Sequence, residues 1–314
     1  MENIYLNLCF FNFLFTIFLK YGSVLLGSDL MLLFEEQPFV RQALHVHPTI
    51  KSSFRDFFKP LKSRDSRLFY ILDGKGSIVI DGTIHILQPD SIFIFKAGTT
   101  YEWQLEWADY YVLNFDYSMA FSNISQTFHP LYSEAFHAED CFDCGIIDDY
   151  KELNSPIVLY KAINLKHSIR NLVFESAISD LWSKPLLSSY LKQILLQILR
   201  ANSADAPKAH NITKQAIAYI QDHYNEPITN SSISEKLGYN PVYLGRIFKE
   251  NTGTSLHDFV IDLRIAAAAD ALKNSPFSIS EIGRLAGMDD VYHFSKLFKQ
   301  KVGLSPTQYR KQFW

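Results

Sequence analysis

Three features of the sequence predict a multidomain α+β chain, a β-barrel-like N-terminal part followed by an all-helical C-terminal part. Between Leu68 and Trp103, short β-branched and aromatic runs are broken by turn signals every eight to ten residues. After Pro156 the apolar spacing changes to the three-and-four steps of a helix. The last third then writes one pattern twice, first in "PVYLGRIFKENTGTSLHDFV" and again in "VYHFSKLFKQKVGLSPTQYR".

At 314 residues the chain has room for two separate cores. Its 47% hydrophobic and 20% charged content excludes a disordered or collagen-like chain. The formal charge of −3 is unevenly spread: from residue 208 onward there are 13 Lys and Arg against 10 Asp and Glu, and before it 17 against 23. A weakly basic C-terminal part is compatible with a nucleic-acid partner, but the residue pattern must carry that argument. Cys9, Cys141 and Cys144 form no even framework, which points to a reducing compartment, the cytoplasm. The C-x-x-C pair has no second pair and no His at zinc spacing, so it reads as structural thiols.

Residues 6–19, "LNLCFFNFLFTIFL", are apolar but shorter than the roughly 20 residues that span a bilayer, and they contain Asn7 and Asn12. Three readings stay open: an upstream start with translation beginning at Met31, which is preferred, a hydrophobic extension, and a membrane anchor.

The strand-rich segment is punctuated by Asp73-Gly74, Asp81-Gly82, Pro89-Asp90 and Ala97-Gly98, the signature of a small barrel or sandwich of short strands. It resembles a cupin-type jelly roll. A metal-dependent cupin carries His and Glu ligands on these strands. Here Arg64, Arg67 and Tyr70 stand before Gly74, and Tyr101 stands where the last His is expected. No catalytic residue, metal site or cofactor is therefore assigned. His45 and His47 in "LHVHP" imitate an H-x-H pair, but no Glu follows at suitable spacing, so they read as turn or solvent-facing residues. Without a metal, a small barrel lined by aromatic side chains suits ligand sensing. Arg41, Arg64 and Arg67, with Tyr70 and Tyr101, are the candidate effector-binding residues. The arginines would clamp an anionic or hydroxyl-rich ligand such as a sugar, or else be ordinary solvated surface groups.

In "LLSSYLKQILLQILR", Leu187, Leu191, Ile194 and Ile198 fall at steps of four, three and four. The stripe is either the seam of a homodimer or the face that packs on the barrel. "ANSADAPKAHN" then reads as a linker.

The two copies align at an offset of 49 through Ile233/Ile282 and Gly238/Gly287, and at 50 through Phe248/Phe298, Gly253/Gly303 and Ser255/Ser305. In each, a small residue, Ser234 or Gly283, stands four positions before a glycine. Two helices crossing at a steep angle need a small side chain at the crossing, and glycine supplies the positive φ of the turn. The following helix starts at a polar cap, Asn240 in the first copy and Asp289 or Asp290 in the second. Leu244, Ile247 and Phe248, and likewise Phe294, Leu297 and Phe298, anchor its apolar face. The opposite face carries the candidate DNA-binding residues: Val242, Tyr243, Arg246 and Lys249 in the first copy, and Tyr292, Ser295, Lys296 and Lys299 in the second. Arg246 is suited to bidentate recognition of guanine and Lys296 to a base or phosphate. Lys249 and Lys299 suit phosphate contact or support of the fold. The alanine-rich helix between the copies would set two readers about one turn of B-DNA apart, about 34 Å.

Residues 210–314 closely resemble the DNA-binding domain of the AraC/XylS family of bacterial transcription regulators. "SEIGRLAGMDDVYHFSKLFKQKVGLSPTQYR" follows the family's second motif nearly throughout, including F-K, G-x-S-P and the closing Y-R. The resemblance implies a seven-helix module with two helix-turn-helix units, preceded by a cupin-like sensory domain of the arabinose-responsive type. By position, the base-facing residues are Val242, Gly245 and Arg246 in the first reader, and Tyr292 and Lys296 in the second. Gly245 offers no side chain to a base, and Gly283 stands in place of the family's usual alanine. The organisation expected is an extension or upstream start at 1–30, a sensing domain at 31–155, a helical connector at 156–202 and the DNA-binding domain at 210–314. The function implied is a sequence-specific transcription regulator acting on double-stranded DNA under small-molecule control, with RNA polymerase a partner if it activates. A membrane-tethered regulator and, less favoured, a metal-dependent cupin enzyme are the alternatives.

Overall fold

The computed structural model describes residues 30–31, 37–47, 59–124, 129–141, 146–147, 150–203 and 208–313. The apolar stretch at 6–19, Cys9 and Cys144 lie outside the described residues. Among the described residues, no helix is long and apolar enough to cross a membrane.

Two long strands carry the N-terminal part, β4 (Ser66–Ile80) and β7 (Thr100–Asp116), of 15 and 17 residues. They pair antiparallel along their length, with irregularities between Ile71 and Asp73 and between Lys75 and Gly76. β2 (Phe39–Val46) pairs with the end of β7, and β3 (Leu61–Lys62) bridges the start of β7 to β8 (Leu131–Tyr132). β5 (Thr83–Ile86) pairs with the end of β4, while β6 (Ile92–Phe95) and β10 (Ile157–Leu159) extend the sheet past its start. A separate parallel pair joins β1 (Leu30–Met31) to β9 (Ile146–Ile147). Because β10 lies beyond residue 155, the sheet reaches into the stretch expected to be helical connector.

The sequence led us to expect short strands with a turn at Asp73-Gly74; instead that dipeptide sits inside β4. Gly76, at φ +139°, lies so close to β7 that a Cβ there would stand 2.3 Å from the Gln104 carbonyl oxygen. Glycine here permits close approach at a bend in the sheet, not a hairpin. The bends fold the sheet over, so side chains from its two halves meet. Phe69 lies edge-on to Trp103 with ring centroids 4.9 Å apart, and Trp103 stacks on Tyr110 at 5.6 Å.

Two outer faces remain, and each is covered. Leu68, Tyr70, Ile94, Leu113 and Phe115 pack against α1 (Lys166–Glu175) and α2 (Ser183–Asn202). The heptad-like stripe settles here: Leu191, Ile194 and Ile198 are fully buried against the sheet, with Leu187 partly buried beside them. Of its two readings, packing on the barrel is the one observed.

The other face, formed by β5 and the adjoining ends of β4 and β7, meets the helical part. That part comprises α3 (Lys208–His223), α4 (Asn230–Leu237), α5 (Pro241–Thr252), α6 (Leu256–Asn274), α7 (Ile279–Leu285), α8 (Val291–Val302) and α9 (Pro306–Arg310). Ile86 and Tyr160 enter the apolar cluster of α3 to α6, and the Tyr160 ring lies edge-on to Phe259 at 6.1 Å. Gln221 of α3 donates to the Ile84 carbonyl at 3.0 Å and lies 3.2 Å from His85 Nδ1.

Burial holds the His85 imidazole neutral, its pKa lowered to about 4. A group that folds neutral contributes its full stability above its ordinary pKa of about 6.5 and loses it as pH falls toward the folded value. Thermal melts from neutral pH down to about pH 5 should therefore show Tm falling more steeply in the parent than in His85→Phe. Identical slopes would show that His85 stays protonatable in the folded chain.

Candidate nucleic-acid interface

The duplicated pattern folds into two matching helix pairs. In the first, α4 ends at Gly238 with φ +73°, and α5 opens at Asn240, whose side chain accepts from the Val242 and Tyr243 N–H groups at 2.9 and 3.3 Å. In the second, α7 leads through Gly287 at φ +76° to α8. Its cap is Asp290, accepting from Tyr292 and His293 N–H at 2.9 and 3.0 Å, which selects between the two expected acids. Capping satisfies N–H groups that the first helical turn leaves without partners, so each second helix starts at a fixed residue.

The crossings are as tight as the small residues imply. Ser234 is fully buried and its hydroxyl donates to the Asn230 carbonyl at 2.7 Å. At Gly283 a Cβ would lie 3.1 Å from both the Met288 carbonyl oxygen and Phe294 Cδ1. With Leu244, Ile247 and Phe248 turned inward on α5, and Phe294 and Phe298 on α8, the opposite faces are left in solvent.

Those faces present the residues singled out in the sequence. Val242 and Tyr292 are about 80% exposed, at 80% and 81%, and Arg246, Lys249, Lys296 and Lys299 are also exposed. Tyr243 sits at the border of exposure at 36%, and Ser295 is half-buried. Arg246 donates to Glu250 Oε1 at 2.8 Å, one turn along the helix, and lies over the Tyr243 ring at 5.6 Å. Glu250 was not legible as a functional neighbour, although its i+4 spacing is a signal that would have found it.

Helix α6 joins the two units. Arg264 donates to the carbonyls of Tyr224 and Glu226, both at 2.7 Å, and so ties α6 to the loop after α3. The same loop meets the second unit, because the Gly287 Cα faces Asn225. Lys273 at the far end of α6 pairs with Glu102 of β7, and Gln104 donates to Asp270 Oδ1 at 3.2 Å. Burial pushes the Glu102 and Asp270 carboxyls above their ordinary values, while Lys273 pulls both back. Beside these contacts a cleft of about 980 Å³ lies between the barrel's outer face and α6, α8 and α9.

The candidate effector residues divide. Arg67 and Tyr101 face the barrel interior, where Arg67 Nε donates to Asp65 Oδ1 at 2.9 Å. Arg41 pairs with buried Asp116 and donates to the Ile124 carbonyl at 2.8 Å. Burial raises the Asp65 carboxyl, and the charges of Arg67 and Arg41 oppose that rise. Neither Arg41 nor Arg67 is the solvated surface group that was the other reading. Arg64 goes elsewhere, to Asp140, whose carboxyl is held below its usual range first by the His137 N–H and then by Arg64. Tyr70 is a correction, since it lies on the face covered by α1 and α2 and donates to Asp90 Oδ1 at 2.7 Å. The interior polar cluster includes residues that sequence reasoning missed, among them Asp65, Asn114 and Asp116. Alternation along β7, with Tyr110, Val112, Asn114 and Asp116 on one face, would have placed the last two. Asp65 Oδ2 and Asn114 Oδ1 are buried acceptors with no donor among the described residues.

Residues 233–312 match the family described as a helix-turn-helix domain. Over 266 residues the chain is 27% identical to the raffinose operon transcriptional regulatory protein of Pediococcus pentosaceus, covering 81% of this chain and 88% of that one. It is 25% identical over 281 residues to the arabinose operon regulatory protein of Escherichia coli, covering 84% and 87%. Among solved structures, it is similar to the C-terminal domain of AraT, a response regulator from Geobacillus stearothermophilus, at 34% identity and a TM-score of 0.33, covering 34% of this chain and 88% of that one.

A Cβ at Gly287 would stand 2.8 Å from the Asn225 carbonyl oxygen, whereas at Gly303, with a similar φ of +83°, it meets nothing within 4 Å. Gly287→Ala therefore combines backbone strain with a collision, and Gly303→Ala has the strain alone. In urea denaturation of the full chain we expect Gly303→Ala to lose roughly 1 kcal/mol and Gly287→Ala about 1–3 kcal/mol more. Equal losses would mean that the loop at Asn225 yields freely.

Proposed function

We propose that the chain, as a member of the AraC/XylS family of transcription regulators, reads one duplex DNA site with α5 and α8 under the control of a sugar held in the barrel. It is a DNA-binding regulator, not an enzyme. The observation that carries the reading is the pair of matching, capped and solvent-facing helices joined by the single helix α6. On these helices Arg246 and Lys296 contact base edges, Val242 and Tyr292 offer apolar contact, and Lys249 and Lys299 meet phosphates. Tyr243 and Ser295 flank them.

For the effector, the polar end of the barrel interior provides the chemistry. The Arg67–Asp65 pair, Asn114 and Tyr101 stand beside the stacked rings of Trp103 and Tyr110. Hydroxyl groups are donors that Asp65 Oδ2 and Asn114 Oδ1 lack, and a sugar's apolar face suits an indole. Relatives named for raffinose and arabinose operons support a sugar as the ligand class. Transmission follows from strand alternation: Tyr101 and Trp103 point inward, while Glu102 and Gln104 point outward to Lys273 and Asp270. A ligand that shifts the inner residues changes the grip on α6, provided that it binds the two arrangements unequally. The regulator works in the cytoplasm, with RNA polymerase as its partner if it activates. Two copies pair through the outward side of α2, where Trp182, Leu186 and Leu196 are exposed.

Binding-site selection with the purified chain should recover a motif of two blocks about one helical turn apart. Against that site, Arg246→Ala and Lys296→Ala should each weaken binding by about 1–3 kcal/mol and relax one block, whereas Lys249→Ala should lower affinity for all sequences and reduce the salt slope. Parent-like affinity in both base-reading variants would overturn the assignment. In the same titration, raffinose, arabinose and related sugars should shift the affinity of the parent, and Asn114→Ala should abolish the shift while binding DNA normally. A sugar response that survives Asn114→Ala would move the effector out of the barrel interior.

A further inference from the structure

His45 and His47 were set aside in the sequence for want of a carboxylate at suitable spacing, and the fold supplies one from another strand. His45 lies on β2 opposite Tyr111 of β7. Residues two apart on a strand share a face, so Asp109 sits beside Tyr111, and His47, just past the end of β2, brings its ring against that of His45. This is an outer face of the sheet, since Tyr111 belongs to the cluster under α1 and α2. The position is therefore distinct from the barrel interior assigned to the effector. His45 Nε2 is 2.7 Å from Asp109 Oδ1, the two imidazole centroids are 3.9 Å apart at a tilt of 47°, and the three groups' donor atoms all lie within 4.8 Å of one another.

We propose that His45, His47 and Asp109 bind a first-row divalent transition metal, with zinc the best match. Two imidazoles and one carboxylate make a nitrogen-rich set that suits zinc, nickel or copper and disfavours the oxygen-seeking calcium and magnesium. Zinc bonds of about 2.0–2.1 Å put tetrahedral donors about 3.4 Å apart. The His45–Asp109 contact at 2.7 Å needs to open by less than about 1 Å, and the remaining separations, all within 4.8 Å, need only side-chain rotation to close. The hydrogen bond joins His45 to Asp109, and the His47 ring stands against the first imidazole. Three protein ligands leave the fourth position to water or another small donor. In the described sheet β2 pairs with β7 alone, so the ion would fasten this strand to the rest of the barrel.

The test uses the purified full chain, stripped of metal and titrated with zinc by calorimetry and with cobalt(II) by visible absorption. We expect one ion per chain, cobalt bands of a nitrogen and oxygen environment without thiolate charge transfer, and a rise in Tm on adding zinc. His47→Ala and Asp109→Asn should remove all three, while keeping the parent's metal-free melting curve and DNA affinity. No stoichiometric binding, a thiolate band, or parent-like binding by both variants would overturn the proposal. Should one variant fail to fold, the other decides.

Discussion

Helix α6 has no polar face, and the rest of the helical part is arranged around that constraint. Leu256, Phe259, Val260 and Leu263 join the core of the first unit, while Ile265, Ala268, Ala269 and Leu272 join that of the second. Buried apolar residues point from α6 in several directions and must be enclosed, so neither unit can drift away without exposing them. Its charged residues are also taken up from several directions. Asp262 pairs with Lys301 of α8 at 2.7 Å, Arg264 holds the loop after α3, and Asp270 and Lys273 meet β7. The run of alanines from Ala266 to Ala269 makes this possible, because small side chains let three bodies approach one helix closely while keeping helix propensity high.

The same helix makes α5 and α8 one object. α5 packs against its N-terminal half through the Phe248–Phe259 contact, at 5.4 Å between centroids, and α8 is bound to it through Lys301 and the second core. A force on α6 therefore acts on both helices together. The barrel touches α6 at residues on one side of β7 while the residues between them line the barrel interior. The interior of the sheet domain and the helical part thus lie on opposite sides of a single strand, and a packed interface of this kind shifts between discrete arrangements more readily than it deforms continuously.

How much was legible follows from how local each feature is. The helix pairs were readable to the residue at Asn240, Ser234 and Gly283, since capping, crossing and turn chemistry act over a few positions. The barrel was readable as strands but not as two long ones, because Asp73-Gly74 carries a turn signature that the close passage of β7 overrides. Partners were the least legible. Asp140 for Arg64, Glu102 for Lys273 and Asp109 for His45 are separated in sequence by dozens of residues, and nothing local to either partner marks the pairing. Tyr70 went to the wrong face for a related reason: alternation fixes which residues share a side, but only the packed helices show which side is inner.

Helices α5 and α8 are alike in backbone and unlike in chemistry. Arg246 is already positioned by Glu250 and the Tyr243 ring. An exposed pair of this kind is worth about 0.3–0.5 kcal/mol on a helix, so transferring the guanidinium to a base edge costs little while its starting direction is set beforehand. Lys296 has no ion-pair partner among the described residues and carries a flexible stem that must be ordered on binding. A guanidinium offers a flat, bidentate fork and an ammonium a point charge, so α5 and α8 present different donor geometries at matching positions. Gly245 adds to the contrast: a Cβ there would meet nothing within 4 Å, so the surface of α5 beside Arg246 is bare backbone. The exposed face of α5 thus carries one positioned cation, Arg246, whereas that of α8 carries Tyr292 and Lys296 with Ser295 half-buried beside them.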